Sequence, residues 1–231
     1  MFRETITHAH GVTVGTASEQ HAVMLLVRAV RRGYDVEATA TGGAQITWGR
    51  MVFGPGGGVV VRAERSIELE PVTLVGLLSI TTRTDLDLID RDRHARYVEE
   101  RGRRVLRGLL WCIPATTTAR LLARGLVVEG EDGRVRVSLA ARLALLAQDH
   151  RTRTTVPDGW HRPHAGDRYG SAGLNRPGRR AGLLRDSTSV AVCTCGELSA
   201  HGGDRADARR LATDHRRAVA AAFIAEQLSP R

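Results

Sequence analysis

Residues 115–138, Ala-Thr-Thr-Thr-Ala-Arg-Leu-Leu-Ala-Arg-Gly-Leu-Val-Val-Glu-Gly-Glu-Asp-Gly-Arg-Val-Arg-Val-Ser, constrain the fold more than any other stretch. Their spacing predicts a short helix, a glycine stop at Gly125, and two strands joined by a tight turn at Asp132-Gly133. A helix followed at once by a hairpin can present one element to the DNA major groove and the other to the phosphate backbone. In that arrangement Thr116, Thr117 and Arg120 occupy the exposed early turns of the helix, and Leu121, Leu122, Leu126 and Val127 belong to the core. Arg134 and Arg136 alternate with Val135 and Val137 on the return strand, where a guanidinium can reach a phosphate.

The remaining chain reads as an α+β protein. Ala17–Arg32 has helical periodicity, with Val23, Leu26, Val27 and Val30 on one side and Gly33 as its end. Strand-like runs follow at Val36–Thr41, Gln45–Phe53 and Val59–Leu69, separated by glycines, so an N-terminal helix plus antiparallel sheet is expected over 1–70. The period then turns helical. A short helix is expected at Val72–Ile80 and a long charged one at about Leu86–Leu110, with Asp85 as its cap. The 115–138 segment and a helix Leu139–Gln148 complete a winged-helix-like unit over 71–149.

From 150 to 188 periodicity disappears, and prolines and glycines dominate. This stretch carries eight arginines, Arg179 and Arg180 among them, against three aspartates. It therefore holds more than half of the chain's net charge of +9 and reads as a flexible basic arm. The chain has no lysine, so all 34 of its Lys and Arg cations are arginines. An arginine bias of this kind is also what a GC-rich genome produces, so only the sign and place of the charge bear on function. The final stretch, 189–231, reads as a small strand-helix module: a strand Ser189–Val192, a turn, and a helix from about Arg205 to Leu228 capped by Asp204.

Three cysteines, two of them one residue apart, make a poor disulfide framework, which points to a reduced compartment and a metal site. Cys193, Cys195, His201 and His215 form a candidate ligand set with zinc as its ion; the alternative is two buried thiols and one hydrogen-bonded core histidine. Soft sulfurs and imidazoles suit Zn²⁺, although Cys-x-Cys is tighter than the usual zinc spacing. His215 is the stronger histidine, because on the terminal helix it shares a face with Leu211 and Val219. His8-Ala-His10 and His161-Arg-Pro-His164 lack accompanying carboxylates. No phosphate-loop ending, nucleophile elbow or His-Glu-x-x-His pair is present, so no catalytic set is expected.

The helix start, the Leu-Ala-Arg-Gly-Leu-Val turn and the hairpin of residues 114–148 resemble MarR-like winged-helix DNA-binding proteins. That resemblance implies a DNA-binding protein, regulatory or mobile-element-associated; an N-terminus without a basic region and apolar core makes a cytoplasmic one the expectation. Its DNA contacts would be Thr116, Thr117, Arg120, Arg134 and Arg136, with Arg179 and Arg180 on the arm. The alternative is a non-enzymatic assembly protein that forms a homodimer or docks a protein partner. An arginine-bearing polar surface over 115–136 favours DNA, and an apolar one favours a partner. No stretch has the length and apolarity of a membrane span, so no membrane partner is expected.

Overall fold

The chain opens on a hairpin that no simple periodicity announces: β1 (Phe2–His8) pairs antiparallel with β2 (Gly11–Ala17). Helix α1 (Glu19–Arg31) follows, started by Ser18, whose side chain accepts from the His21 N–H at 3.1 Å. It ends in a glycine motif. Gly33, at φ +70°, and Tyr34 donate back to Val30 and Ala29 at 3.0 Å, which closes two otherwise unpaired carbonyls. Strands β3 (Asp35–Ala38), β4 (Ala44–Phe53) and β5 (Val59–Pro71) complete a five-stranded antiparallel sheet in the order β2-β1-β5-β4-β3. The computed structural model describes residues 1–8, 11–53, 59–155, 160–161, 184–185, 189–202 and 205–229.

Residues 72–110 depart from expectation. Val72–Ser79 is irregular chain, bent at Val72 and Thr73 and left-handed at Gly76 (φ +64°), and helix α2 (Ile80–Arg91) is capped by Ser79, with Asp85 inside it. The chain beyond α2 is β-structure, and the long charged helix does not form. Strands β6 (Arg96–Glu100), β7 (Arg103–Arg107) and β8 (Cys112–Ile113) make a three-stranded sheet turning at Arg101-Gly102. The alternation Tyr97, Val98 against Leu106, Val105 pairs across this hairpin, and Leu106 is fully buried. Cross-strand burial outweighed the helix propensity of the arginines and glutamates.

Helix α3 (Ala115–Ala123) then leads through Gly125, at φ +62°, into β9 (Val127–Glu129), β10 (Val135–Val137) and helix α4 (Leu139–Asp149). The Gly125 end repeats that of α1: Gly125 and Leu126 donate back to Leu122 and Leu121 at 2.9 Å. Strand β10 is tied to the start of β6, because the Val135 N–H donates to the Ala95 carbonyl at 2.8 Å. Helix α3 is preceded by a three-stranded sheet and Pro114, not by a second helix.

Beyond residue 149 come β11 (Thr152–Thr155), the two-residue pair β12 (Trp160–His161) and β13 (Leu184–Arg185), β14 (Ser189–Cys193), β15 (Ser199–Gly202) and helix α5 (Arg205–Phe223). A π-helical turn, Ile224–Leu228, ends the described chain. Two compact units result, residues 1–149 with 217–231, and residues 150–216.

The first unit has a continuous apolar core that includes Phe2, Leu26, Ile46, Leu69, Leu86, Leu106, Leu121, Leu126, Leu143 and Ile224, each at 1% exposure or less. Gly42 lets α4 close over the sheet edge, since a Cβ there would stand 2.5 Å from the Ala140 carbonyl oxygen. The second unit has a core of Ala191, Ala208 and Ala212, with Leu198 and Leu211 half-buried against it.

Candidate functional site

The second unit's sheet runs β11-β14-β15, all antiparallel. Pairing of Thr152 with Cys193 places the residue two before β11, His150, beside the turn that follows β14. That turn is built on Gly196, at φ +83°, whose N–H donates to the Cys193 carbonyl at 3.1 Å. The Thr194 N–H donates to the Arg151 carbonyl at 3.0 Å, and the Arg151 N–H donates to Thr194 Oγ1 at 3.1 Å, which locks the His150 backbone against the turn. From the other side α5 presents Ala208, Ala212 and His215, spaced four and three residues apart on one face.

These elements bring His150, Cys193, Cys195 and His215 together, with one ligand atom of each lying within 4.8 Å of all the others. Cys195 Sγ is 3.4 Å from His215 Nε2, and Cys193 Sγ is 4.0 Å from His150 Nδ1. The two imidazole rings stand 5.6 Å apart at 51°. Ligands around a tetrahedral zinc, at metal distances of about 2.0–2.3 Å, stand roughly 3.3–3.8 Å from one another. The set therefore needs to contract by about one ångström at its widest pair to hold an ion, and it can hold a metal ion.

The electrostatics agree with a set of neutral and softly acidic donors. Burial, with the neighbouring His150 second, lowers the His215 pKa and keeps its ring neutral, as a ligand must be. Burial pushes the Cys193 thiol up, a penalty that an ion's charge removes by stabilising the thiolate. The Glu197 N–H donates to Cys195 Sγ at 3.4 Å, a contact that suits a sulfur carrying negative charge.

His201 is not part of the set. It pairs with Val190 on β15, three residues along β14 from Cys193, or about 10 Å of strand. Odd spacing also puts it on the opposite sheet face, where it is exposed. His150 takes the place expected for His201. The signal for it was the threonine-rich Thr-Arg-Thr-Thr at 152–155, one residue beyond Arg151, which marks a strand where the sequence suggested an arm.

In the wing-like segment Leu121, Leu126, Val127, Val135 and Val137 are buried, while Leu122, expected in the core, is only half-buried against it. Thr116, Arg120, Arg134 and Arg136 are exposed and Thr117 is half-exposed. Thr118 faces inward, accepting from the Leu106 N–H and donating to the Ile113 carbonyl, both at 3.2 Å. Asp132 is shared by the two wing arginines, at 2.8 Å from Arg136 and 3.5 Å from Arg134. The backbone N–H of Arg134 first, and then these guanidiniums, lower the Asp132 pKa. Arg93, Arg134, Arg136 and Arg142 line one groove with Asp90 and Asp92. Arg179 and Arg180 lie outside the described residues, as do most of the arm and the expected cap Asp204.

No protein family, curated protein or solved structure matches this chain. Its function is therefore argued from its own residues. Among the described residues no helix is long and apolar enough to cross a membrane.

Proposed function

We propose that this chain is a zinc-stabilised DNA-binding protein. Zinc holds the second unit through His150, Cys193, Cys195 and His215, and the α3 helix, the β9–β10 wing and the basic arm contact DNA. Convergence of the four donors supports the zinc half of this reading. For the DNA half, the carrying observation is the surface of residues 115–136, which exposes Thr116, Arg120, Arg134 and Arg136 and no large apolar side chain. That is the polar, arginine-bearing face that duplex binding asks for.

Fluorescence anisotropy with labelled duplexes over a salt series tests this. Arg134→Ala with Arg136→Ala is expected to weaken binding to every duplex alike and to flatten the log-log salt dependence by about two units, close to one per phosphate. Thr117→Ala or Arg120→Ala is expected to change sequence preference instead. An unchanged salt slope in the wing double variant overturns the assignment. Metal analysis of untagged protein is expected to find about one zinc per chain.

One observation favours a second reading, an assembly protein. Val72, Leu74, Leu77 and Ile80 expose 66%, 62%, 70% and 84% of their surfaces within nine residues. Such a run suits a partner surface. Under this reading, self-association measured by sedimentation is lost in Leu77→Ser with Ile80→Ser while duplex binding is absent in the parent chain.

A further inference from the structure

The five-stranded sheet turns one face toward α1, and its inward positions pair as Ala44 with Leu69, Ile46 with Ile67, and Trp48 with Arg65. The first two rungs are buried aliphatics, from 1% to 9% exposed. The third rung changes character. His8 stands opposite Arg65 on β1, and Tyr34 immediately precedes β3, whose Asp35 pairs with Thr47. A β-bulge falls directly after Trp48, the kind of irregularity that re-aims a side chain. Across from this rung, the last turns of α1 bring Arg28 and Arg32 to the same place, four residues apart on one helix face.

Arg28, Arg32, Tyr34, Trp48 and Arg65 line a concavity of about 280 Å³ with an apolar floor of Ile46 and Ile67. Tyr34 lies nearly parallel to Trp48, with ring centroids 5.0 Å apart at 16°. The Arg65 guanidinium sits 5.5 Å from the Trp48 ring centroid, and its Nη2 is 3.5 Å from His8 Nε2. No carboxylate lines the cavity, and among the described residues none is ion-paired to Arg28, Arg32 or Arg65. Three permanent cations around one opening, beside two stacked aromatics, form a site short of an anion and able to stack a ring.

We infer that this pocket binds an unpaired nucleobase together with its adjoining phosphate. Aromatic stacking platforms flanked by arginine are how proteins hold single-stranded nucleic acid without reading its sequence. The volume fits one base and part of its sugar and falls just below the range of drug-sized ligand sites. A base inside a duplex has both faces covered and cannot enter. Entry displaces the Arg65 guanidinium from the Trp48 ring. That contact is worth roughly two- to fivefold in affinity at an exposed site, against roughly five- to 150-fold for a stacked base. The freed Arg65 then joins Arg28 and Arg32 at the phosphate.

The inference does not rest on the wing, since it concerns an unpaired base and other residues. Its test uses the full chain and a fluorescein-labelled thymidine oligomer of about ten nucleotides, within the usual span of such sites. Anisotropy and tryptophan emission are the readouts. The parent protein is expected to bind the oligomer with quenched emission. Trp48→Ala is expected to weaken binding roughly ten- to hundredfold and abolish the quench, while Trp48→Phe stays within about threefold because a ring remains. Arg28→Gln with Arg32→Gln, both exposed at the end of α1, is expected to flatten the salt dependence by up to about 0.7 unit, one phosphate's share on a single strand. Competition by thymidine monophosphate at similar concentration assigns the pocket to free nucleotide, and failure to compete assigns it to a strand; either supports the site. Folded parent protein that binds neither probe, or both variant sets binding like the parent, overturns it. Equal loss in Trp48→Ala and Trp48→Phe overturns it as well, by marking Trp48 as structural.

Discussion

The two units are held by different physics. The first buries Leu26, Ile46, Leu69, Leu86, Leu106, Leu121, Leu126, Leu143 and Ile224 almost completely. Among the described residues of the second, the buried cluster is three alanines, each contributing one methyl, or about 0.8 kcal/mol apiece, with Cys193 buried nearby and Leu198 and Leu211 half-buried against it. So little apolar burial is a thin core for a three-stranded sheet and part of a helix. The same unit also gathers two sulfurs and two imidazoles, and the first has no comparable cluster among its described residues. A small fold that lacks a core can obtain its stability from an ion instead.

Metal removal separates the two units most sharply. Chelation, or Cys195→Ser, is expected to abolish hydrogen-exchange protection in β14 and in residues 205–216 while leaving that of α1 and β4 intact. Ion binding in small zinc modules supplies most of the folding free energy, on the order of 10 kcal/mol. Full protection of the second unit in metal-free protein breaks the comparison. Core truncation is expected to show the reverse asymmetry. Leu26→Ala, at a position with 0% exposure, should destabilise the first unit by about 2–5 kcal/mol in denaturant titration. Leu211→Ala, half-buried beside alanines, should cost the second unit less, because fewer neighbours lose contacts.

Acidity should act on the second unit first. The folded His215 pKa lies below its ordinary 6.5, so the unfolded chain takes up the proton more readily. Stability from this group is present above 6.5 and lost as pH falls below it, and a bound ion, which needs the neutral ring, is lost in the same direction. Metal content followed from pH 7.5 downward checks this; retention of the ion at pH 5 contradicts it.

The smallest effect is expected in the first unit at Asp85. Its Oδ2 is buried without a hydrogen-bond partner, and burial raises its pKa against the opposing pull of Arg120. The contribution of this carboxyl to stability is therefore greatest when it is protonated and falls as pH rises through its raised pKa. Asp85→Asn is expected to raise Tm slightly at pH 7, with the gain vanishing in acid. Lowered Tm at neutral pH would show that the charge is used, with Arg120 as its partner.

Much of the local architecture was legible along the chain. The pattern from 115 to 138 encodes its own helix end and turn, because a left-handed glycine and a two-strand alternation are decided within a few residues. The same holds for α1, whose Ser18 cap, apolar stripe and Gly33 stop are all local, and for the strands from 35 to 71. His215 and the two cysteines could be picked out by residue type and by helix periodicity alone. Residues 86–110 misled, because their charged side chains carry helical propensity while the pairing that buries Leu106 and Val105 against Tyr97 and Val98 is set across a hairpin.

What the sequence by itself determined is therefore the α+β class, the helix-glycine-hairpin segment, and the presence of soft ligands near the C-terminus. Only the tertiary structure chose His150 over His201, since a ligand's membership depends on strand register and sheet face. Cys193 and His150 are 43 residues apart and become neighbours because β11 pairs with β14. It alone also placed Tyr34, Trp48, Arg65 and the arginines of α1 around one opening. They come from the end of α1, the residue before β3, β4 and β5, and no spacing along the chain encodes a meeting made by sheet pairing and helix packing together.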